Sequence, residues 1–267
     1  DIARDVPQGP PAGRQKLAEV IEQSPVVVAG CLLSTENHPG SPPAPGTPEG
    51  AAAFADFPTD VDKTVRRVKL VSTPGKTQKP LRKQHACNDA RADNEILSMS
   101  FQLATMYLIA EEISPDQTEN NEIRLKKQIL HRLSPNFGGY AQADATDYQM
   151  MLNYRGAQKA FREFSIVDLL KNQVKPEAFR DRVVLIGYTS EVSKDELSTP
   201  YVETQGGSRT ISGVIVHAHA VSQILSAVLE QRPLIQSWAE WAEILWIWGW
   251  TLGSGVIALY NRRLGFF

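Results

Sequence analysis

The sequence is poor in cysteine and carries little excess of either charge. Its 267 residues include two cysteines, Cys31 and Cys87, too few and too far apart for the usual spacing of a zinc site. They are either two buried thiols or one disulfide, and the compartment decides which. A formal net charge of -2 and a pI of about 6.3 leave no overall basic field to hold a nucleic acid, so that class of partner is set aside. Neither G-x-x-x-x-G-K-[ST] nor G-x-G-x-x-G occurs, which removes the recognisable phosphate-cradling loops. No G-x-S-x-G elbow surrounds Ser190 or Ser193, so hydrolase chemistry lacks its strained turn. The opening "DIARDVP" has neither an initiator methionine nor a signal-type apolar stretch. The chain therefore reads as a fragment, expected to begin after an earlier anchor or leader and to stop inside a membrane region.

What is present is enough apolar material, 42% of residues, to bury the core of one large domain or of a domain with an appendage. The far end is a special case. "WAEWAEILWIWGWTLGSGVIALY", from Trp238 to Tyr260, contains an uncharged run from Ile244 onward and is followed at once by Asn261, Arg262 and Arg263. A bilayer is spanned by about 20 apolar residues, and tryptophans gather at the headgroups. The competing reading is a buried core helix, since the uncharged run is slightly short. Against it stand the tryptophans crowded at one end and the arginines at the other. The positive-inside tendency places those arginines in the cytoplasm and everything before Trp238 outside. In that oxidising setting Cys31 and Cys87 are expected to form a disulfide.

Before that segment, helical and extended patterns alternate. Arg14–Gln23 has helix-forming composition, "SPVVVAGCLL" reads as a buried strand, and "HPGSPPAPGTPEG" (38–50) reads as a long exposed loop. "TVRRVKLVS" suits a half-exposed strand, 96–111 a buried helix of about four turns, and "YQMMLNYR" a further strand. "FSIVDLL" reads as a short helix capped by Ser165. "RVVLIGY", apolar without alternation, has the pattern of a central parallel strand covered on both faces. Residues 213–232 read as a helix of about five turns stopped by Pro233. The predicted fold class is α/β: a layered mixed or mostly parallel sheet flanked by helices, followed by a transmembrane helix.

Three stretches invite chemistry. "FRDRVVLIGYTSEVSKDELSTP" (179–200) leaves the end of the predicted strand, where open α/β sheets bind ligands. Asp195 and Glu196 are adjacent and point apart, so they make a poor acid pair. In "HAH", His217 and His219 lie about 200° apart on a helix and cannot share one ion. The helical frame puts His217 on the inward stripe with Val214, Val221 and Leu225, and turns His219 away. "DFPTDVDKTVRR" places Asp56, Asp60 and Asp62 near Arg66 and Arg67, but it lacks the glycine and closing glutamate of a calcium loop and reads as a solvated turn.

In order and spacing, "LNYR", "FSIVDLL", "FRDRVVLIGYTSEVSKDELSTP" and "SGVIVHAHAVSQIL" resemble the CHASE-two family, the second type of extracellular sensory domain associated with cyclases and histidine kinases. "DIARDVP", "DVDKTVRR" and "SMSFQLATMYL" extend the resemblance over nearly all of residues 1–233. The family's glycine-ended strand, aspartate and threonine-proline fall on Gly187, Asp195, Thr199 and Pro200, and its helix start falls on Gly213, Val214, His217 and Ala218. Lys63 stands where a glycine is common. The resemblance implies a bacterial receptor input domain over residues 1–237, a membrane helix over 238–260 and a cytoplasmic start at 261–267, in the inner membrane with the sensory part in the periplasm. It implies an expected homodimer answering a small molecule or physical stimulus and controlling a nucleotide cyclase or protein kinase. Thr189, Asp195, Thr199 and His217 are the expected ligand-facing residues, and no cofactor or catalytic residue is expected. The alternative is a membrane-anchored extracytoplasmic enzyme or metal-dependent protein.

Overall fold

A computed structural model describes residues 9–156, 160–189, 195–201 and 210–263. It separates into two compact units, one made of the chain up to Leu133 with Asp144–Leu234, the other of 134–143 with the chain from Ile235 onward.

The first unit opens with α1 (Pro11–Gln23), started by a proline at its first position, where the missing N–H costs nothing. Two short parallel strands follow, β1 (Ala29–Cys31) and β2 (Ala52–Phe54), each residue of one matched to one of the other. The proline-rich segment between them holds no regular element, as expected of a loop, but it is only partly exposed, with Gly40 and Ser41 buried. Ser41 and Leu32 exchange two backbone hydrogen bonds of 3.0 and 3.1 Å. Gly40, at φ +76°, passes so close that an added methyl would lie 2.9 Å from the Leu32 carbonyl oxygen. Only glycine satisfies both demands at that point.

β3 (Arg67–Ser72) is the central strand of a three-stranded antiparallel sheet, between β4 (Ile96–Leu97) and β8 (Tyr148–Met151). Its side chains are more buried than a half-exposed strand would allow, because α2 (Met99–Ala110) and α4 (Gly213–Leu229) pack against each other in the same core. Val68 and Leu70 of β3, Phe101, Ala104 and Leu108 of α2, and Val216, Ala220 and Ile224 of α4 form its centre. The meander β5 (Pro115–Gln117), β6 (Ile123–Leu125) and β7 (Gln128–Leu130) contributes Leu125 and Leu130 to it. α2 is buried over most of its length, from Met99 to Leu108, and begins with Ser98 accepting the Phe101 N–H. A smaller cluster holds Cys31, Leu33, Phe54, Cys87 and Ile96. Cys31 and Cys87 form a disulfide with Cα atoms 6.4 Å apart, inside the range such bonds accept.

α3 (Ile166–Leu170) is the short helix expected, with Ser165 accepting the Val167 N–H, but none of its residues is buried. The neighbouring run Val183–Tyr188 corrects the reading of a central strand. It is not in a strand; Val183, Leu185 and Gly187 are half-buried while Val184, Ile186 and Tyr188 are exposed. The sheet is built from β4, β3 and β8 and is antiparallel, so the run lies along the core with one face only. β9 (Glu196–Ser198) and β10 (Thr210–Ser212) pair antiparallel and lead directly into α4. α4 closes at Gln231, which is left-handed at φ +57°, with the Arg232 N–H donating back to the Ser226 carbonyl at 3.1 Å.

The second unit is dominated by α5 (Glu240–Arg263), whose apolar side chains are exposed along its length. Over Glu240–Arg262 it is long and apolar enough to cross a membrane, with a mean hydropathy of 1.3 in its most apolar window. Glu240 and Glu243 occupy its first turn, where acids suit the positive end of the helix dipole.

Candidate sensory site at the start of α4

α4 places His217 one turn inside its first residue. The imidazole is buried, its Nδ1 lies 2.7 Å from the hydroxyl of Ser100 on α2, and its ring packs against that of Phe57 at 4.3 Å, tilted by 42°. Burial pulls its pKa down to about 3, against a backbone hydrogen bond with Ala55 that favours the charged form. His217 is therefore a neutral, hydrogen-bonded wedge between α4, α2 and the chain leaving β2.

Asp195 is attached to the same helix. Its backbone carbonyl accepts the Gly213 N–H at 3.0 Å, which fixes the chain before β9 to the first residue of α4. Burial raises its carboxyl pKa. Thr199 is buried at the end of β9, whose Ser198 carbonyl accepts the Val65 N–H at 2.8 Å and so ties the β9–β10 pair to the core sheet. Thr189 is exposed. The structure thus brings Asp195 and His217 onto one helix start, buries Thr199 just after β9 and leaves Thr189 at the surface. Ser190, Ser193 and Gly206–Arg209 lie outside the described residues.

Gly187 and Val214 meet here. A Cβ on Gly187 would sit 2.5 Å from the Val214 Cβ, so the extended run reaches the helix only because no side chain intervenes. Sequence reasoning named both residues but had no signal that they touch. It also missed Ser100 and Phe57. Ser100 shares α2 with the polar Gln102 and Thr105, so its hydroxyl did not stand out; Phe57 is an ordinary aromatic in the sequence, and only the fold brings both to His217.

His219 corrects the helical-wheel reading, because it is 1% exposed rather than turned to solvent. Its Nδ1 accepts the Arg155 N–H at 3.3 Å, and the rings of Tyr154 and Phe161 meet it edge-on at 5.0 and 4.8 Å. Burial, aided by Arg232 and Arg155, lowers its pKa to about 4. α4 is covered on two sides, by α2 and by the chain after β8, so its stripe and its flank are both interior.

The acidic turn is also less solvated than expected. Asp60 and Arg67 are largely buried and paired at 3.0 Å, and Arg67 donates to Gln149 Oε1 at 3.0 Å. The Arg66 guanidinium beside Asp62 holds that carboxyl well below its usual range. Lys63 adopts φ +60°, the left-handed conformation that makes glycine common at this point. Among the described residues no group of three or more His, Cys, Asp or Glu comes together to hold a metal ion.

The CHASE2 domain family matches the chain over residues 1–256. No curated protein and no solved structure matches it. With almost the whole chain inside that match, and with Gly187, Val214, Asp195 and His217 gathered at one helix start, the protein belongs to the CHASE2 family of extracellular sensory domains.

Proposed function

We propose that this chain is the signal-receiving input of a bacterial membrane receptor and that the start of α4 is where the signal is read. Residues 1–237 stand on the periplasmic side of the inner membrane, α5 crosses it once with Arg262 and Arg263 in the cytoplasm, and a nucleotide cyclase or protein kinase follows. The receptor works as a homodimer. Thr189, Asp195, Thr199 and His217 receive a small molecule or a physical stimulus. The observation that carries this reading is the double attachment of one helix start. Asp195 holds the Gly213 N–H, and His217 is wedged against Ser100 and Phe57 one turn later. Whatever displaces the loop before β9 acts on the end of α4, and a ligand does so only through its differential affinity for the two positions.

The test is output against stimulus in the full-length receptor, paired with its melting temperature. Asp195→Asn keeps the shape and the backbone hydrogen bond while removing a charge. It is expected to move the half-maximal stimulus by about tenfold, within the usual span of coupling free energies, with little change in melting. His217→Ala is expected to alter the response and to lower stability, since Ser100 loses its buried partner. Response curves of Asp195→Asn that superimpose on those of the unmodified receptor overturn the site.

A further inference from the structure

The segment joining β3 to the disulfide carries Lys76, Lys79, Arg82 and Lys83 with no acid among them, in a chain whose net charge is -2. All four are exposed, and among the described residues none of them forms an ion pair. Glu36, which lies against the loop, is engaged by Gln78 at 2.8 Å. Asp89, beyond the disulfide, is held by Arg91.

This is not a loose tail. At one end the Gly75 N–H donates to the Ser34 carbonyl at 2.8 Å, Ser34 Oγ donates to the Gly75 carbonyl at 2.6 Å, and the Gln78 N–H donates to the Glu36 carbonyl at 3.0 Å. At the other end Asn88 Nδ2 donates to the Lys83 carbonyl at 2.9 Å, next to the buried Cys87. A pinned loop loses less conformational freedom on binding than a free one, so its charges are held ready.

We propose that the loop 75–85 is a docking surface for a flexible polymer carrying closely spaced phosphate groups. The cations are spread along the loop from Lys76 to Lys83, which suits a run of anions better than one small ion. Three of the four are lysines, which pair as point charges without the fixed fork of arginine and therefore tolerate a mobile chain. A peptide would need more. The loop holds no strand to be extended, and Leu81, 43% exposed, is its one large apolar group.

The experiment uses the whole chain in neutral detergent with inorganic polyphosphate as the probe and poly-glutamate as the comparison. Neutralising four phosphates of a flexible strand predicts a slope of about -3 for the logarithm of affinity against that of salt, so a tenfold rise in salt weakens binding by about a thousandfold. The variant Lys76→Gln/Lys79→Gln/Arg82→Gln/Lys83→Gln is expected to abolish binding with an unchanged melting temperature. Should that variant fail to fold, each single substitution is expected to reduce the slope by about 0.7. Polyphosphate bound equally by the neutralised variants, or a slope near zero, overturns the loop as the site. Poly-glutamate bound as tightly as polyphosphate overturns the phosphate preference.

Discussion

His217 and His219 lie two residues apart within one turn of α4 and are both kept neutral by burial, which makes the domain sensitive to acid. Their folded pKa values, about 3 and about 4, lie below the ordinary value of 6.5. Below pH 6.5 the unfolded chain takes up protons that the folded one refuses. Stability is therefore constant with respect to these groups above that pH and declines as pH falls toward 4, by up to about 1.4 kcal/mol per pH unit for each histidine. Denaturant midpoints measured between pH 7 and 4.5 check this. The decline should be shallower in His219→Gln, because one of the two proton sites is then missing, and an unchanged slope would assign the effect to other groups. The sequence made His217 legible, since a polar residue on an apolar stripe must be satisfied. His219 was not legible: a helical wheel assumes one neighbour, and the second cover, the rings of Tyr154 and Phe161, comes from residues far away in the chain.

Elements with strong local signals formed close to where the sequence placed them: α1, the Ser165 cap of α3 and the body of α4 follow from composition or spacing within a single segment, whereas the helix expected over 96–111 begins only at Met99, because Ile96 and Leu97 pair with β3 as β4. The run Val183–Tyr188 was misread because continuous apolar residues do not say how many faces are covered. Its approach to α4 depends on Gly187. In Gly187→Ala the new methyl meets Val214, and the substitution is expected to cost about 1 to 3 kcal/mol, as overpacking does. Trimming the other side with Val214→Ala makes room, so the double variant should lose less than the sum of the two single ones. Thermal melts of the four proteins measure the difference, and strict additivity would mean that the two residues do not press on each other.

At the scale of the whole chain, the disulfide joins the end of β1 to the turn before β4 across 56 positions. Closing a loop of that length restricts the unfolded chain by about 4 kcal/mol in the chain-entropy account. Cys31→Ala/Cys87→Ala is expected to lower the denaturant midpoint accordingly, and reductant should shift the unmodified protein but leave the variant where it is. A variant as stable as its parent would show that the bond contributes nothing net. The same long reach shapes how the domain can be made. Ser100 waits for His217 across 117 positions, and Asn153, whose N–H donates to Gln223, waits across 70. While a ribosome delivers the chain from its N-terminus, the sheet and α2 emerge with one wall of their core missing, and that wall arrives only just ahead of the hydrophobic segment in α5. A chain stopped before residue 213 therefore lacks the wall formed by Val216, Ala220 and Ile224 and leaves Phe101, Ala104 and Leu108 of α2 uncovered on that side.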